Sequence, residues 1–253
     1  MPKPQYIATS QADEIACLSR KGSSPGVIWL GGFKSTMDGN KARALDMWAS
    51  RRGRAYLRFD YFGHGLSTGD FREGTITRWR DDALAVLDRL SEGSQVLVGS
   101  SMGAWIALLV ASMRRERVAG LLFIAPAIDF TEILIWDRLS LAARLQIHET
   151  GEWLRESIYD AVPYPITRSL IEDGRKHLLL AGSRIAVEAP LRILQGMKDP
   201  DVPWQHAVRL LEAIDGDAEL TLVSGGDHRL STPGDLRLLE RTLDALVADI
   251  GGA

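Results

Sequence analysis

Gly99-Ser100-Ser101-Met102-Gly103 places a serine between two glycines, where the apolar run Gln95–Val98 meets the Ala- and Leu-rich stretch Met102–Met113. A serine on such a strand-to-helix turn is a nucleophile elbow, with its hydroxyl exposed at the top of a sheet. The glycines have a steric reason, because a strained turn closes only where neighbouring residues lack a Cβ. Ser101 occupies the central position; Ser100 lacks the flanking spacing. A serine hydroxyl is a poor nucleophile at neutral pH, so it needs a base within hydrogen-bond reach and a third group to orient that base. The chemistry in view is acyl transfer.

Partners for such a serine follow in the order serine, acid, histidine, on loops beyond the carboxyl ends of parallel strands. After the apolar run Leu191–Leu194 come Lys198-Asp199-Pro200-Asp201, and after Glu219–Val223 come Gly226-Asp227-His228. Asp199 is favoured as the acid over Asp201, which lies further along the turn, where it can favour a helix N-terminus instead. His228 is the base, since it alone occupies the final post-strand loop. His64 sits in a glycine turn that it is expected to support by hydrogen bonding. His148, His177 and His206 fall in a later helical segment or on a helix and read as solvated. A tetrahedral oxyanion needs N–H donors. The expected pair is the amide of Met102, next after the serine, and that of Phe33 in the early loop Gly31-Gly32-Phe33-Lys34. There the glycines, Gly32 among them, let backbone approach a substrate.

The elements that must position these residues alternate. Tyr6–Thr9 and Glu14–Leu18 read as an opening hairpin. Strands are expected at Val27–Leu30, Ala55–Phe59, Gln95–Val98, Leu121–Ile124, Leu191–Leu194 and Glu219–Val223. Helices are expected at Gly39–Arg52, Arg78–Leu90, Met102–Met113, Trp204–Ile214 and from Pro233 to Ile250. Short continuous apolar runs suit strands covered on both faces, and the alternation implies a mostly parallel, doubly wound, three-layer sheet. Residues 129–185 break the rhythm with helical segments at Glu132–Leu145 and Thr150–Tyr159. They are expected as a helical cap inserted in a core of residues 1–128 and 186–253, with Trp136 among the residues available to substrate.

Composition narrows the rest. The 253 residues are 45% hydrophobic and 25% charged, enough for a sizeable core. A net charge of -3 and the lack of a Lys/Arg-rich block exclude nucleic acid as an expected partner. The single cysteine, Cys17, reads as a small buried hydrophobe. The first ten residues carry neither a secretory h-region nor an Arg-rich transit pattern, and no apolar run reaches the ~18 residues of a spanning helix. A cytoplasmic setting without stable membrane insertion is therefore expected. The histidines are scattered, so no metal, cofactor or nucleotide site is expected.

Two further motifs carry a family resemblance. Phe59-Asp60-Tyr61-Phe62-Gly63-His64-Gly65-Leu66-Ser67 resembles the D-x-x-G-x-G-x-S turn of α/β-hydrolases, and Gly196-x-x-Asp199-x-x-Val202-Pro203 resembles their acid loop. More narrowly, the stretch Leu30–Ala42, Trp79-Arg80-Asp81-Asp82 and Val98–Gly103 resemble the mitochondrial α/β-hydrolase-domain palmitoyl-protein thioesterase and acyl-glucuronide esterase family, of which this chain reads as a bacterial-type relative. The resemblance implies the α/β-hydrolase fold and a serine hydrolase acting on thioesters or esters through an acyl-enzyme. The substrate would be a small molecule or an acylated protein. A general carboxylesterase or lipase on small oxygen esters uses the same residues. A serine peptidase and a non-catalytic ligand-binding protein remain the other readings.

Overall fold

In the computed structural model the described residues are 3–9, 13–156, 162–182 and 184–251. The chain runs β1 (Gln5–Ala8), β2 (Glu14–Arg20), β3 (Ser23–Leu30), α1 (Asn40–Arg52), β4 (Arg54–Phe59), α2 (Ile76–Leu90), β5 (Gln95–Ser100), α3 (Met102–Met113) and β6 (Val118–Ile124). It continues with α4 (Leu141–Thr150), β7 (Glu152–Arg155), β8 (Tyr164–Thr167), α5 (Arg168–Gly174) and β9 (Ile185–Ala186). The last elements are β10 (Leu191–Gly196), α6 (Trp204–Ala213), β11 (Ile214–Asp215), β12 (Ala218–Val223) and α7 (Pro233–Gly251). Eight strands form one sheet in the order β1-β2-β4-β3-β5-β6-β10-β12. β1–β2 and β2–β4 pair antiparallel, and every later pair is parallel.

Side-chain alternation with period two sorts each central strand between two cores. Ile28 and Leu30 of β3, Leu97 of β5 and Leu121 and Phe123 of β6 pack with α2, α3 and α6. Val27 and Trp29, Val96 and Val98, and Leu122 and Ile124 turn to the other face and meet Leu45 and Trp48 of α1 and Leu239, Leu243 and Leu246 of α7. This gives the expected three layers. Helix α3 is buried on every side from Met102 to Val110, so the element that follows the serine is locked at the centre of the molecule. At roughly 1.5–3 kcal/mol for each large apolar side chain removed from water, that burial makes α3 among the strongest anchors of the fold.

Residues 129–185 depart from the all-helical expectation. In place of one helix over Glu132–Leu145 there is a single π turn, Thr131–Ile135, then a 3-10 turn, Trp136–Arg138. The backbone is extended at Leu139 and Ser140 before α4 begins. Ser140 starts α4 by accepting the Ala143 N–H at 3.2 Å, and Gly151 ends it in the left-handed region. The second expected helix, Thr150–Tyr159, gives way to β7, which pairs antiparallel with β8 through Trp153 and Ile166; its residues 157–159 lie outside the described ones. The segment's two ends are tied together by buried Asp129, whose carboxylate accepts the amides of Leu179 (2.9 Å) and Leu180 (2.7 Å).

Candidate active site

Parallel strands β3, β5, β6, β10 and β12 all open their following loops at one carboxyl edge, so the early glycine loop, Ser101, Asp199 and His228 come to the same side of the sheet. Ser101 follows β5 directly with φ 54° and ψ −119°, a conformation that non-glycine residues rarely hold. The surroundings over-determine it. Its N–H donates to Ile124 O at 2.9 Å, and its carbonyl accepts the amides of Ala104 (3.0 Å) and Ala127 (3.2 Å). A Cβ on Gly99 would stand 2.6 Å from Ala104 N, and one on Gly103 would stand 2.1 Å from Leu30 O. Both flanking glycines are therefore required by packing against backbone, which cannot step aside.

The candidate acid and base are joined by a side-chain hydrogen bond. His228 Nδ1 lies 2.7 Å from Asp199 Oδ2. Asp199 is fully buried at its side chain and its other oxygen accepts the amides of Asp201 and Val202, both at 2.9 Å. Gln195 Nε2 adds a 3.2 Å donation to Oδ2. A carboxylate held this way accepts from Nδ1–H, which leaves His228 Nε2 with its lone pair, the form a general base needs. The two loops are knitted to each other by Lys198 N–H to Gly226 O (2.9 Å) and Met197 N–H to Val223 O (2.9 Å). Lys41 of α1 also donates to the carbonyl of Arg229, next to His228.

Asp201, the alternative acid, pairs with Arg155 of β7 at 3.2 Å. Ligand atoms of Asp199, Asp201 and His228 do fall within 4.8 Å of one another, a cluster the sequence spacing does not reveal. Both Asp199 oxygens already accept two donors each in the protein, which orients the candidate acid toward His228.

The early loop turns tightly beside the serine. A Cβ on Gly32 would lie 3.3 Å from both Ser101 Cβ and Ser100 O, so the absence of a side chain is what keeps the space over Ser101 open. The Phe33 ring is seated among Phe71 (4.9 Å), Phe130 (5.5 Å), Tyr164 (5.5 Å) and Trp79 (5.7 Å), which fixes the residue whose amide is the candidate donor. Met102 opens α3, where the first amides of a helix have no intrahelical acceptor. Among the described residues no protein acceptor takes the amide of Phe33 or of Met102. Trp136, by contrast, lies under the guanidinium groups of Arg175 (4.8 Å) and Arg144 (5.3 Å), and no described contact joins it to the serine or to Gly32.

Two of the remaining histidines correct their expected solvation. His206 is buried, with Nε2 2.9 Å from Ile128 O, and desolvation pulls it down to about 4. His177 lies 2.6 Å from Thr77 Oγ1 beside Asp173, and burial lowers its pKa as well. Their hydrogen-bond partners lie 78 and 100 positions away; for His177 the i,i+4 neighbour Asp173 was the one local signal. His64 does support its turn, donating from Nδ1 to Phe62 O at 3.0 Å.

Comparison with known proteins agrees with this architecture. Residues 27–247 match the Alpha/beta hydrolase family. The mouse palmitoyl-protein thioesterase ABHD10, mitochondrial, is 38% identical over 244 residues, which cover 96% of this chain and 82% of that protein. Among solved structures, a putative hydrolase from Agrobacterium vitis S4 superimposes with a TM-score of 0.93 at 43% identity, covering 97% of this chain and 99% of the other. Alpha/beta hydrolase domain-containing protein 10 from mouse superimposes with a TM-score of 0.91 at 36% identity, covering 98% and 100%. With its sheet order, its elbow and a match over most of its length, the chain belongs to the alpha/beta hydrolase family.

Proposed function

We propose that the protein is a serine hydrolase that cleaves carboxylic thioesters or esters through an acyl-enzyme on Ser101. The observation that carries this is the pairing of a strained, backbone-held Ser101 with a 2.7 Å Asp199–His228 hydrogen bond on the same sheet edge. His228 Nε2 takes the hydroxyl proton as Ser101 Oγ attacks the acyl carbonyl. The Phe33 and Met102 amides hold the oxyanion, and Asp199 stabilises the imidazolium. Collapse breaks the bond to sulfur or oxygen, and His228 gives its proton to the leaving group. Water then attacks the acyl-enzyme with His228 as base, releasing the acid and Ser101. Substrate passes over Gly32; the cations over Trp136 make that residue a poorer place for an acyl chain.

The thioesterase name of the mouse relative supports an acylated protein or small acyl thioester as substrate. No helix among the described residues is long and apolar enough to cross a membrane. The cytoplasmic setting expected from the sequence differs from the mitochondrial name of that relative, and cell fractionation decides between them.

Fluorophosphonate labelling with peptide mapping, beside Ser101→Ala, tests the mechanism. Label on Ser101 that is lost in the variant is the expected result. A panel of matched thioesters and oxygen esters of graded chain length then separates substrate classes by kcat/KM. Preference for long acyl thioesters supports the thioesterase reading, and preference for short oxygen esters replaces it with a general esterase. An unlabelled, inactive protein overturns the proposal.

A further inference from the structure

The loop that carries the Phe33 amide is held at two points by side chains outside the serine, acid and base. Gly32 O accepts the Ser35 hydroxyl at 2.7 Å and the Ser35 N–H at 3.1 Å. Carbonyl and N–H point in opposite directions across a trans peptide. Two donors drawing the Gly32 carbonyl toward Ser35 therefore turn the Phe33 N–H of the same peptide away from Ser35. One peptide further on, the Lys34 N–H donates to His64 Nε2 at 3.0 Å, and Lys34 itself holds φ 58°, a left-handed conformation that needs such support.

His64 can do this in only one state. Its Nδ1 faces the Phe62 carbonyl, which accepts and cannot donate, so Nδ1 carries the proton and Nε2 offers a lone pair to Lys34. An imidazolium would set Nε2–H against the Lys34 N–H. Burial among Tyr61, Phe71 and Trp79 also disfavours charge, pulling His64 down to about 4. The peptides on either side of Phe62 are in turn fixed from α2, where Trp79 Nε1 donates to the Phe62 carbonyl (3.1 Å) and Asp82 accepts the Phe62 N–H (2.9 Å).

We infer that Ser35 and His64 are positioning residues for the oxyanion donor, clamping the Gly32–Phe33 and Phe33–Lys34 peptides so that the Phe33 N–H is aimed before substrate arrives. This rests on the proposed acyl transfer at Ser101. Preorganised donors act on the transition state more than on the bound substrate, so loosening them lowers kcat and leaves KM almost unchanged.

Ser35 is exposed, so Ser35→Ala tests the clamp with little danger to folding. The expected result is a loss of about tenfold in kcat, below the ~100-fold of deleting an oxyanion donor outright, with KM within about twofold. A trifluoromethyl ketone, which forms the tetrahedral adduct, should lose affinity by the same factor, and Ser35→Thr, which restores a hydroxyl, should recover both. His64→Phe keeps the ring packing and removes the acceptor. It should lower kcat likewise and speed deuterium exchange at the Lys34 amide. Ser35→Ala with wild-type kcat and ketone affinity overturns the inference whether or not His64→Phe folds. Fluorophosphonate labelling of the wild type separates the two failures. An unlabelled wild type rejects Ser101 as nucleophile, whereas a labelled wild type with an unaffected Ser35→Ala rejects only the clamp.

Discussion

The surroundings of Ser101 and the outer part of residues 129–185 are held by different means. Around Ser101 the restraints are backbone: its N–H donates to Ile124 O, its carbonyl accepts the Ala104 and Ala127 amides, and the flanking glycines stand where a Cβ would collide with main-chain atoms. The outer segment meets the core through a few buried side chains, Ile147 and Ile166 among them, and through partly exposed ion pairs such as Arg155–Asp201 and Arg72–Glu152, and it leaves Leu141, Leu145 and Leu154 exposed. The difference teaches that the geometry proposed for bond making is stored where the chain cannot relax, while the segment beside it is held in part by contacts that can change at little cost.

The comparison breaks most visibly at Gly103. Gly103→Ala sets a methyl 2.1 Å from Leu30 O, and overpacking against backbone should cost about 3 kcal/mol; a large fall in Tm with loss of fluorophosphonate labelling is expected, and an unchanged Tm would show that the elbow has slack. Arg155→Ala probes the opposite regime. Both partners are 29% exposed, so removing the ion pair should cost about 0.5 kcal/mol, shift Tm by a degree or two, and change KM across an acyl-chain series more than kcat. A fall in kcat equal to that of an elbow variant would show that the segment holds the acid loop in place.

A third effect, read as a pH dependence, concerns the carboxyl that holds the Phe62 amide in the turn bearing His64. Burial raises Asp82 to about 7 despite the attraction of Arg78, so between its unfolded value near 3.8 and 7 the folded protein holds a proton the unfolded chain has released. Its contribution is therefore present at low pH and is lost as pH rises toward 7. Asp82→Asn should become steadily more stable relative to wild type from pH 4 to pH 7 and stay level above, as read by denaturant unfolding at each pH. His64 and His206, both pulled down to about 4, act with the opposite sign: their stability is present above their ordinary value of 6.5 and is lost as pH falls toward 4. A flat difference curve for Asp82→Asn would mean that the carboxyl is ionised in the fold.

The core was legible because strands buried on both faces leave runs such as Val27–Leu30 and Leu121–Ile124 that nothing else explains, and α3 begins and ends where its Ala- and Leu-rich stretch does. Residues 129–185 were not, because Ile133, Leu134, Trp136 and Leu139 mimic helical spacing while the backbone makes two short turns and an extended break. Ser140, three residues before the Ala143 amide it caps, was the readable signal for the true start of α4. In the site, the loops bearing Asp199 and His228 could be read from their place after strands. The support His64 gives its own turn was also legible, whereas the contacts of Ser35 and His64 with the early loop were not, since each depends on which way one peptide faces.

Cys17 gives the molecule an internal clock. It is the chain's single thiol, fully buried in β2, and desolvation with the nearby Asp60 and Asp82 pushes it up to about 12. An alkylating reagent reaches its sulfur only when the core around β2 opens, so modification reports local openings at the antiparallel end of the sheet. The same strand accepts the Asp60 N–H at Ala16 O and donates its Ala16 N–H to Ser67, the two ends of the turn that bears His64. Modification of Cys17 would therefore report on the strand to which that turn is bonded.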